Sequence, residues 1–129
     1  MKVKTVGLLF FSLVFLSNVA AMDNKSYLPK EIFKHWTRSH EEDMAEFSVF
    51  RPADYNFPPA RGRGGFEIKE DGKFIVYSSG PDDRGVELSG YWEPEGKTGI
   101  IGYFEKDGKT QKWVINIITC SDDILKIKK

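Results

Sequence analysis

Apolar and polar residues alternate along much of the chain, and the clearest example lies in residues 61–92. Two apolar-rich runs meet there at Asp71 and Gly72, a polar segment follows at residues 80–83, and a third run ends at Trp92. A period of two is typical of strands with one buried face, and Asp-Gly pairs are typical of turns. The pattern therefore predicts three consecutive antiparallel strands.

The turn at Gly72 decides which side chains of the first two strands share a face. A two-residue type I′ turn would pair Ile68 with Ile75. A turn with Gly72 as a left-handed bulge residue would pair Lys69 with Lys73 instead. We favour the bulge because only glycine must then adopt a positive φ. It also gathers four apolar side chains on one face: Phe66, Ile68, Phe74 and Val76.

Further runs predict about eight strands in all. Similar turn residues recur at residues 105–109 (EKDGK), and two like turns in a short chain favour an antiparallel meander. We expect a first strand over residues 36–41 and a second over residues 47–51. The β-branched run at residues 112–120 is predicted to be the most deeply buried, and residues 124–127 to form an edge strand. In the strand that ends at Trp92, the positions predicted to point inward are Val86, Leu88, Gly90 and Trp92.

The N-terminus has the pattern of a secretory signal peptide. Lys2 and Lys4 precede an apolar run at residues 6–16, and small residues follow at positions 19–21. The run is shorter than the span of about 20 residues that crosses a bilayer. We therefore predict cleavage after Ala21 and export to the periplasm or the medium, with no membrane span left in the mature chain.

Composition places few other constraints on residues 22–129, which we expect to form a single domain. The whole chain has 19 basic and 19 acidic residues, and cleavage removes two of the lysines. A near-neutral mature chain argues against a nucleic-acid-binding protein held by phosphate contacts. The one cysteine, Cys120, has no partner for an internal disulfide, so we interpret it as a small buried residue.

Several motifs together resemble a known family. Residues 28–35 predict a short helix, with Pro29 near its start, that leads into a strand opening on Trp36. Such a helix would plug one end of a closed barrel. These features, with the WTRSHEED segment at residues 36–43, the RGRGGFE segment and the GYW ending at Trp92, resemble small exported bacterial proteins grouped as lipocalin-like. The resemblance implies an all-β fold, a small eight-stranded lipocalin-like β-barrel, with a ligand at its mouth.

One candidate for chemistry is the acidic segment that follows His40. If residues 36–41 continue as a strand, His40 and Glu42 lie on one face and could bind a metal or act as an acid and a base. No second histidine lies at ligand spacing, since His35 is opposite in phase. We therefore predict a solvated strand end, with no metal and no cofactor.

A second candidate is a group of arginines surrounded by glycines. Arg61 and Arg63 suit carboxylates or phosphates, but the segment lacks the glycine spacing and the lysine of a phosphate loop. The alternative is that the arginines pair with acidic residues of this chain. The arginines concerned are Arg51, Arg61, Arg63 and Arg84, and the acidic residues are Glu41, Glu42, Asp43, Asp82 and Asp83.

Aromatic residues supply the third candidate. Most are expected in the core, because a small eight-stranded barrel is filled by its own side chains. Tyr55 and Phe57 lie in a proline-rich connector, residues 52–59, where side chains are placed to contact other molecules. The predicted ligand-binding residues are Trp36, His40, Tyr55, Phe57, Arg61 and Arg63.

The sequence thus predicts a monomeric, exported barrel that binds a small apolar or amphipathic ligand without catalysis. The alternative is a protein-interaction module, such as an inhibitor of an exported enzyme, that uses residues 52–65 as its contact loop. Catalysis finds little support, because the chain has neither a Gly-x-Ser-x-Gly motif nor a metal-hydrolase histidine pair.

Overall fold

Eight antiparallel strands close into a barrel within residues 28–79 and 85–129, which a computed structural model describes apart from the side chain of Ser79. The predicted signal peptide and the predicted turn at residues 80–83 lie outside these residues. The strands are β1 His35–Arg38, β2 Phe47–Pro52, β3 Gly65–Ile68, β4 Lys73–Ser79, β5 Gly85–Glu95, β6 Gly99–Lys106, β7 Lys109–Cys120 and β8 Leu125–Lys128.

The strand order is β1-β2-β8-β7-β6-β5-β4-β3, with β3 pairing back onto β1. Strands β3 to β8 form the predicted meander. The β1–β2 hairpin departs from it, because β2 pairs with β8 and β1 pairs with β3. The prediction of a meander throughout the chain is therefore wrong for these two strands. Because β2 and β3 flank β1 and run in the same direction, their connection must travel back along β1. Residues 53–64 make this passage, and we call them the crossing segment. Three of the chain's prolines lie in or beside it and suit an unpaired connector.

The hairpin of β3 and β4 confirms the predicted bulge. The amide of Lys69 donates to the carbonyl oxygen of Lys73 at 3.0 Å, and Gly72 has a φ of +98°. The four apolar side chains assigned to one face of this hairpin are all buried. The turn between β6 and β7 differs, because Lys106 pairs with Lys109 and leaves only Asp107 and Gly108 between them. Both take a positive φ, as a type I′ turn requires.

The barrel interior is filled by side chains. Phe66 lies at the centre of an aromatic cluster, with ring centroids 5.0 Å from Phe50, 5.1 Å from Trp113 and 6.0 Å from Phe74. A Cβ atom on Gly102 would lie 2.4 Å from the ring of Phe74. Aliphatic side chains at alternate strand positions complete the core. This confirms the prediction that the small barrel is filled by its own side chains.

Two expectations about β7 and β8 are wrong. Val114 is 43% exposed, because β7 lies in a barrel wall and buries only its inner face. Strand β8 is not an edge, since Leu125 pairs with both Phe50 of β2 and Cys120 of β7. Closure of the barrel depends on this strand.

The inward alternation predicted for β5 holds for three of its four positions. Trp92 is buried and Leu88 packs against the core, whereas Val86 is 39% exposed near the start of the strand. Gly90 allows close approach, because a Cβ atom there would lie 1.7 Å from the carbonyl oxygen of Tyr103.

The predicted N-terminal helix is reduced to a 3-10 helix at Lys30–Ile32. Ile32 is fully buried and accepts, through its carbonyl oxygen, a hydrogen bond from the indole of Trp36. Leu28 joins the same core. Residues 28–33 therefore close one end of the barrel, and we call them the plug. Across the described ranges, no helix has the length and apolar composition needed to cross a membrane.

Candidate functional site

Residues 28–33 cover one end of the barrel, although Phe33 within them is itself only half-buried. At the plug end, Trp36 and Ile115 are fully buried, and the ring of Phe33 lies 5.9 Å from Trp92. At the opposite end, Leu88, Phe104 and Trp113 pack against the core but are only half-buried. We call this second end the open end.

A cleft of about 290 Å³ lies at the open end. Its apolar wall is made by Phe50 of β2, Val76 of β4 and Trp113 of β7, so three strands of the barrel contribute. We call it the mouth cleft, and its lining residues are Arg38, Phe50, Gly64, Gly65, Val76, Tyr77, Ser78 and Trp113.

The glycines beside this cleft keep two backbones close together. A Cβ atom on Gly65 would lie 2.1 Å from the carbonyl oxygen of Trp36, so β3 can pair with β1 at this point only with glycine. A Cβ atom on Gly64 would lie 3.2 Å from the carbonyl oxygen of Tyr77. Gly64 and Gly65 therefore allow this segment to approach its neighbouring strands closely.

Arg38 is the charged group of the mouth cleft. It alternates with the buried Trp36 along β1 and places its guanidinium carbon 5.6 Å from the ring centroid of Phe50. Its Nη2 donates to Oδ2 of Asp43, while its Nε is buried and has no hydrogen-bond partner among the described residues. Asp43 is held in turn by the Val49 amide, which donates to Oδ1 at 2.8 Å.

The ionisation of Asp43 follows from these contacts. Burial acts to raise its pKa, but the hydrogen bonds from Arg38 and the Val49 amide outweigh burial, and the pKa lies below its usual value. The carboxylate therefore stays charged and neutralises the guanidinium.

The acidic segment before Asp43 is folded differently from the prediction. Strand β1 ends at Arg38, and His40–Glu42 form a 3-10 helix, so His40 and Glu42 do not share a strand face. A backbone hydrogen bond from the Glu42 amide to the carbonyl oxygen of Ser39, 3.0 Å long, turns the chain there, and the Ser39 hydroxyl donates to the Glu42 carboxylate at 2.7 Å.

Each remaining carboxylate of this segment binds an arginine. Glu42 receives hydrogen bonds from Arg51 at 2.7 and 2.9 Å, and Glu41 receives two from Arg63. These hydrogen bonds lower the pKa of each glutamate from 4.5 to about 2. The predicted pairing of arginines with acidic residues is thus confirmed for Arg51 and Arg63, whereas Arg84 lies outside the described residues.

A metal site at His40 gains no support from this geometry. The imidazole is exposed, and its Nδ1 lies 3.8 Å from the Glu41 carboxylate, which already binds Arg63. Within the described ranges, no three His, Cys, Asp or Glu side chains lie together as a metal would require.

The aromatic residues of the crossing segment lie against arginines on the outer side of the barrel. The guanidinium of Arg51 lies 4.7 Å from the Tyr55 ring centroid, and that of Arg63 lies 4.7 Å from the Phe57 ring centroid. The two rings meet edge to face at 5.0 Å. Because Arg51 follows the inward Phe50 along β2, this cluster faces outward.

The structure therefore divides the predicted site residues. Tyr55, Phe57 and Arg63 come together on the outer wall, and Arg61 is exposed on the crossing segment. His40 lies on the 3-10 helix between β1 and β2, and Trp36 is fully buried beside the plug. None of these six residues lines the mouth cleft among the residues described.

Sequence reasoning missed the residues that do line the cleft. One signal was present, since Arg38 shares the inward phase of Trp36 and Trp113 shares that of Ile115. The missing information was which end of the barrel the plug covers, because the inward residues of the other end then form the mouth.

Comparison with known proteins adds no assignment: no protein family, curated protein or solved structure matches the chain.

Proposed function

We propose that this protein is an exported, non-catalytic, lipocalin-like barrel that binds a small apolar or amphipathic molecule in the mouth cleft. One observation carries the proposal. The barrel is filled along most of its length, yet at the open end Leu88, Phe104 and Trp113 stay half-buried beside a cleft of about 290 Å³. Apolar walls with few polar groups are typical of small-molecule sites.

The size of the cleft limits the ligand. Binding sites for drug-sized molecules begin at about 300 Å³, so a cleft of about 290 Å³ suits a molecule of one ring or a short chain. A ligand that entered more deeply would have to displace the aromatic cluster around Phe66. The rings of this cluster are spaced as in the packed cores of other proteins. The ligand would therefore sit at the rim with one side exposed.

Export belongs to the same proposal and is supported by the sequence alone. The basic start, the apolar run and the small residues before Ala21 have the order of a signal peptide. A filled core without disulfides would let a single mature domain, residues 22–129, act as a monomer outside the cytoplasm.

The test is an NMR titration of the ¹⁵N-labelled protein with propylbenzene, a small probe without polar atoms. We expect the indole signal of Trp113 and the amide signals of Phe50, Val76 and Ser78 to shift, and those of the plug to stay in place. The absence of shifts at the open end, or shifts confined to another surface, would overturn the proposal.

A pair of variants distinguishes cleft binding from non-specific contact. Ser78→Trp adds an indole beside the cleft and should abolish the shifts, because the new side chain occupies the probe's volume. Ser89→Trp adds the same indole on β5 at an exposed position and should leave them intact. Equal binding by both variants would contradict the assigned site.

The interaction module is a second candidate because the crossing segment has a defined shape. Arg63 donates to the carbonyl oxygens of Arg38 and Pro58 as well as to Glu41, and Tyr55 is 38% exposed. A segment ordered before binding loses less entropy when a partner docks. Native mass spectrometry of the protein from its host separates the two candidates, since a retained small molecule favours the cleft and a second protein favours the crossing segment.

A further inference from the structure

A second cleft adjoins the mouth cleft along β4, and we call it the side cleft. It has a volume of about 340 Å³, and its charged lining residues are Arg63 and Glu87. Tyr77 and Ser78 line both clefts, so the two spaces meet near the end of β4. A molecule whose apolar body lies in the mouth cleft can therefore extend a polar group into the side cleft.

The two charged residues of the side cleft differ in their partners. The side chain of Arg63 is only 9% exposed, and its guanidinium binds the Glu41 carboxylate through both Nη atoms. Glu87 is exposed and takes part in none of the ion pairs that join described residues. The positive charge of the side cleft is therefore compensated within the chain, whereas its carboxylate is accessible to a ligand.

A second carboxylate adds negative charge beside Tyr77. Tyr77 pairs with Glu87 across β4 and β5 and donates its hydroxyl to Glu67 at 2.8 Å. Burial raises the pKa of Tyr77 to about 12, and both glutamates add to the shift. The ring of His35 stacks on Tyr77 at 4.0 Å, but burial lowers the pKa of this imidazole, which is therefore neutral at pH 7. The described residues around Tyr77 thus carry an excess of negative charge.

We propose that the two clefts together bind an amphipathic amine, with its apolar body in the mouth cleft and its ammonium group beside Glu87 in the side cleft. Phe50, Val76 and Trp113 contact the apolar body. The ammonium group donates hydrogen bonds to the Glu87 carboxylate, which accepts none from the other described side chains. This assignment rests on the proposed function and names the head group of its ligand.

The exposure of Glu87 sets the size of its contribution. A carboxylate that keeps part of its hydration loses little free energy when an ammonium group approaches, and an exposed ion pair also contributes little affinity. The apolar body should therefore supply most of the affinity. Glu87 instead selects the charge of the head group.

The experiment compares neutral and cationic probes that share one apolar body. The probes are propylbenzene, 3-phenylpropan-1-ol and 3-phenylpropylamine, with 5-phenylpentan-1-ol and 5-phenylpentylamine as a longer pair that reaches further along β4. NMR titration at pH 7 and low salt gives the affinities. At the better-fitting length, we expect the amine to bind about three- to fivefold more tightly than the alcohol, the ratio for one exposed ion pair. Salt at about 1 M should bring this ratio close to one. The amide signals of Gly85 and Glu87 should shift with the amine and not with propylbenzene.

Two variants assign the preference to its residue. Glu87→Gln keeps the size of the side chain but removes its charge, so the ratio of amine to alcohol affinity should fall to about one while propylbenzene binds as before. Glu95→Gln is the matched control, at an exposed position at the other end of β5, and should keep the wild-type ratio. Both variants change the net charge of the protein equally, so a general attraction for cations would affect them alike.

The outcomes separate this inference from the proposed function. If no probe binds at the open end, the two fail together. If propylbenzene binds there and the ratio of amine to alcohol affinity is about one at both chain lengths, the proposed function stands and the amine inference is overturned. An equal fall of the ratio in both variants would overturn it as well, because the preference would then come from net charge and not from Glu87.

Discussion

The indole Nε1 of Trp36 donates a 3.0 Å hydrogen bond to the carbonyl oxygen of Ile32, and both residues are fully buried. This bond joins β1, the first strand of the barrel, to the plug. If the plug moved away, the buried indole N–H of Trp36 would lose its acceptor. The plug is therefore an integral part of the core.

Replacing Trp36 by phenylalanine should lower the free energy of unfolding by about 2–4 kcal/mol, because a buried carbonyl loses its partner and a cavity forms. Urea denaturation followed by circular dichroism measures the change. Trp113→Phe is the matched control and should cost less, since Trp113 is half-buried at the open end. Equal losses in both variants would contradict the role given to the Trp36 bond.

Close approach of β5 and β6 predicts a second large effect. A Cβ atom on Gly90 would lie 1.7 Å from the carbonyl oxygen of Tyr103, and a backbone atom cannot move aside cheaply. Gly90→Ala should therefore destabilise the protein by about 3 kcal/mol or more. Gly85→Ala, on the same strand with no atom within 4 Å of the added methyl, should be nearly neutral. Thermal unfolding of the two variants side by side tests the difference, and a stable Gly90→Ala protein would refute this strand geometry.

Local chemistry explains which parts of the fold were predictable from the sequence. The β3–β4 hairpin was predicted with its register, because Gly72 alone determines the bulge and the apolar residues then fall on one face. The position of β2 was not predictable in this way. Its pairing with β8 joins Phe50 to Leu125, residues far apart in the chain, and no local pattern specifies that contact.

The acidic segment between β1 and β2 predicts a loss of stability in acid. Hydrogen bonds from Arg63 and Arg51 lower the pKa of Glu41 and Glu42 from 4.5 to about 2. A carboxylate with a lowered pKa in the folded state stabilises the fold above its unfolded pKa, and that contribution is lost as the pH falls from about 4.5 towards 2. The Glu41 and Glu42 side chains are 34% and 35% exposed, so screening by water keeps the effect modest.

Glu42→Gln should therefore be less stable than the wild type at neutral pH, and the difference should shrink as the pH approaches about 2.5. Urea denaturation across this range measures both curves. Glu70→Gln, at an exposed position in the β3–β4 turn, is the control and should leave the pH dependence unchanged. A constant difference between Glu42→Gln and wild type at every pH would refute the linkage.

The candidate site shows why residue type alone was insufficient. Tyr55 and Trp36 are both aromatic and both were assigned to the mouth, yet one lies outside the barrel against Arg51 and the other beside the plug. Arg38 was assigned no role, although its inward phase was readable from β1. The deciding fact is which end the plug closes, and that depends on tertiary packing of Ile32 against Trp36.

Cys120 gives the last prediction. Burial raises the pKa of its thiol to about 11 from a usual value of 9.0, and Glu31 adds to the shift. At about pH 8 the thiolate should be about a hundredfold scarcer in the folded than in the unfolded chain, so iodoacetamide should react that much faster in urea. The control moves the thiol one residue, in a Thr119→Cys, Cys120→Ser protein, to an exposed position that should react quickly when folded. A wild-type thiol that reacts as fast folded as unfolded would show that Cys120 is not shielded by the end of β7.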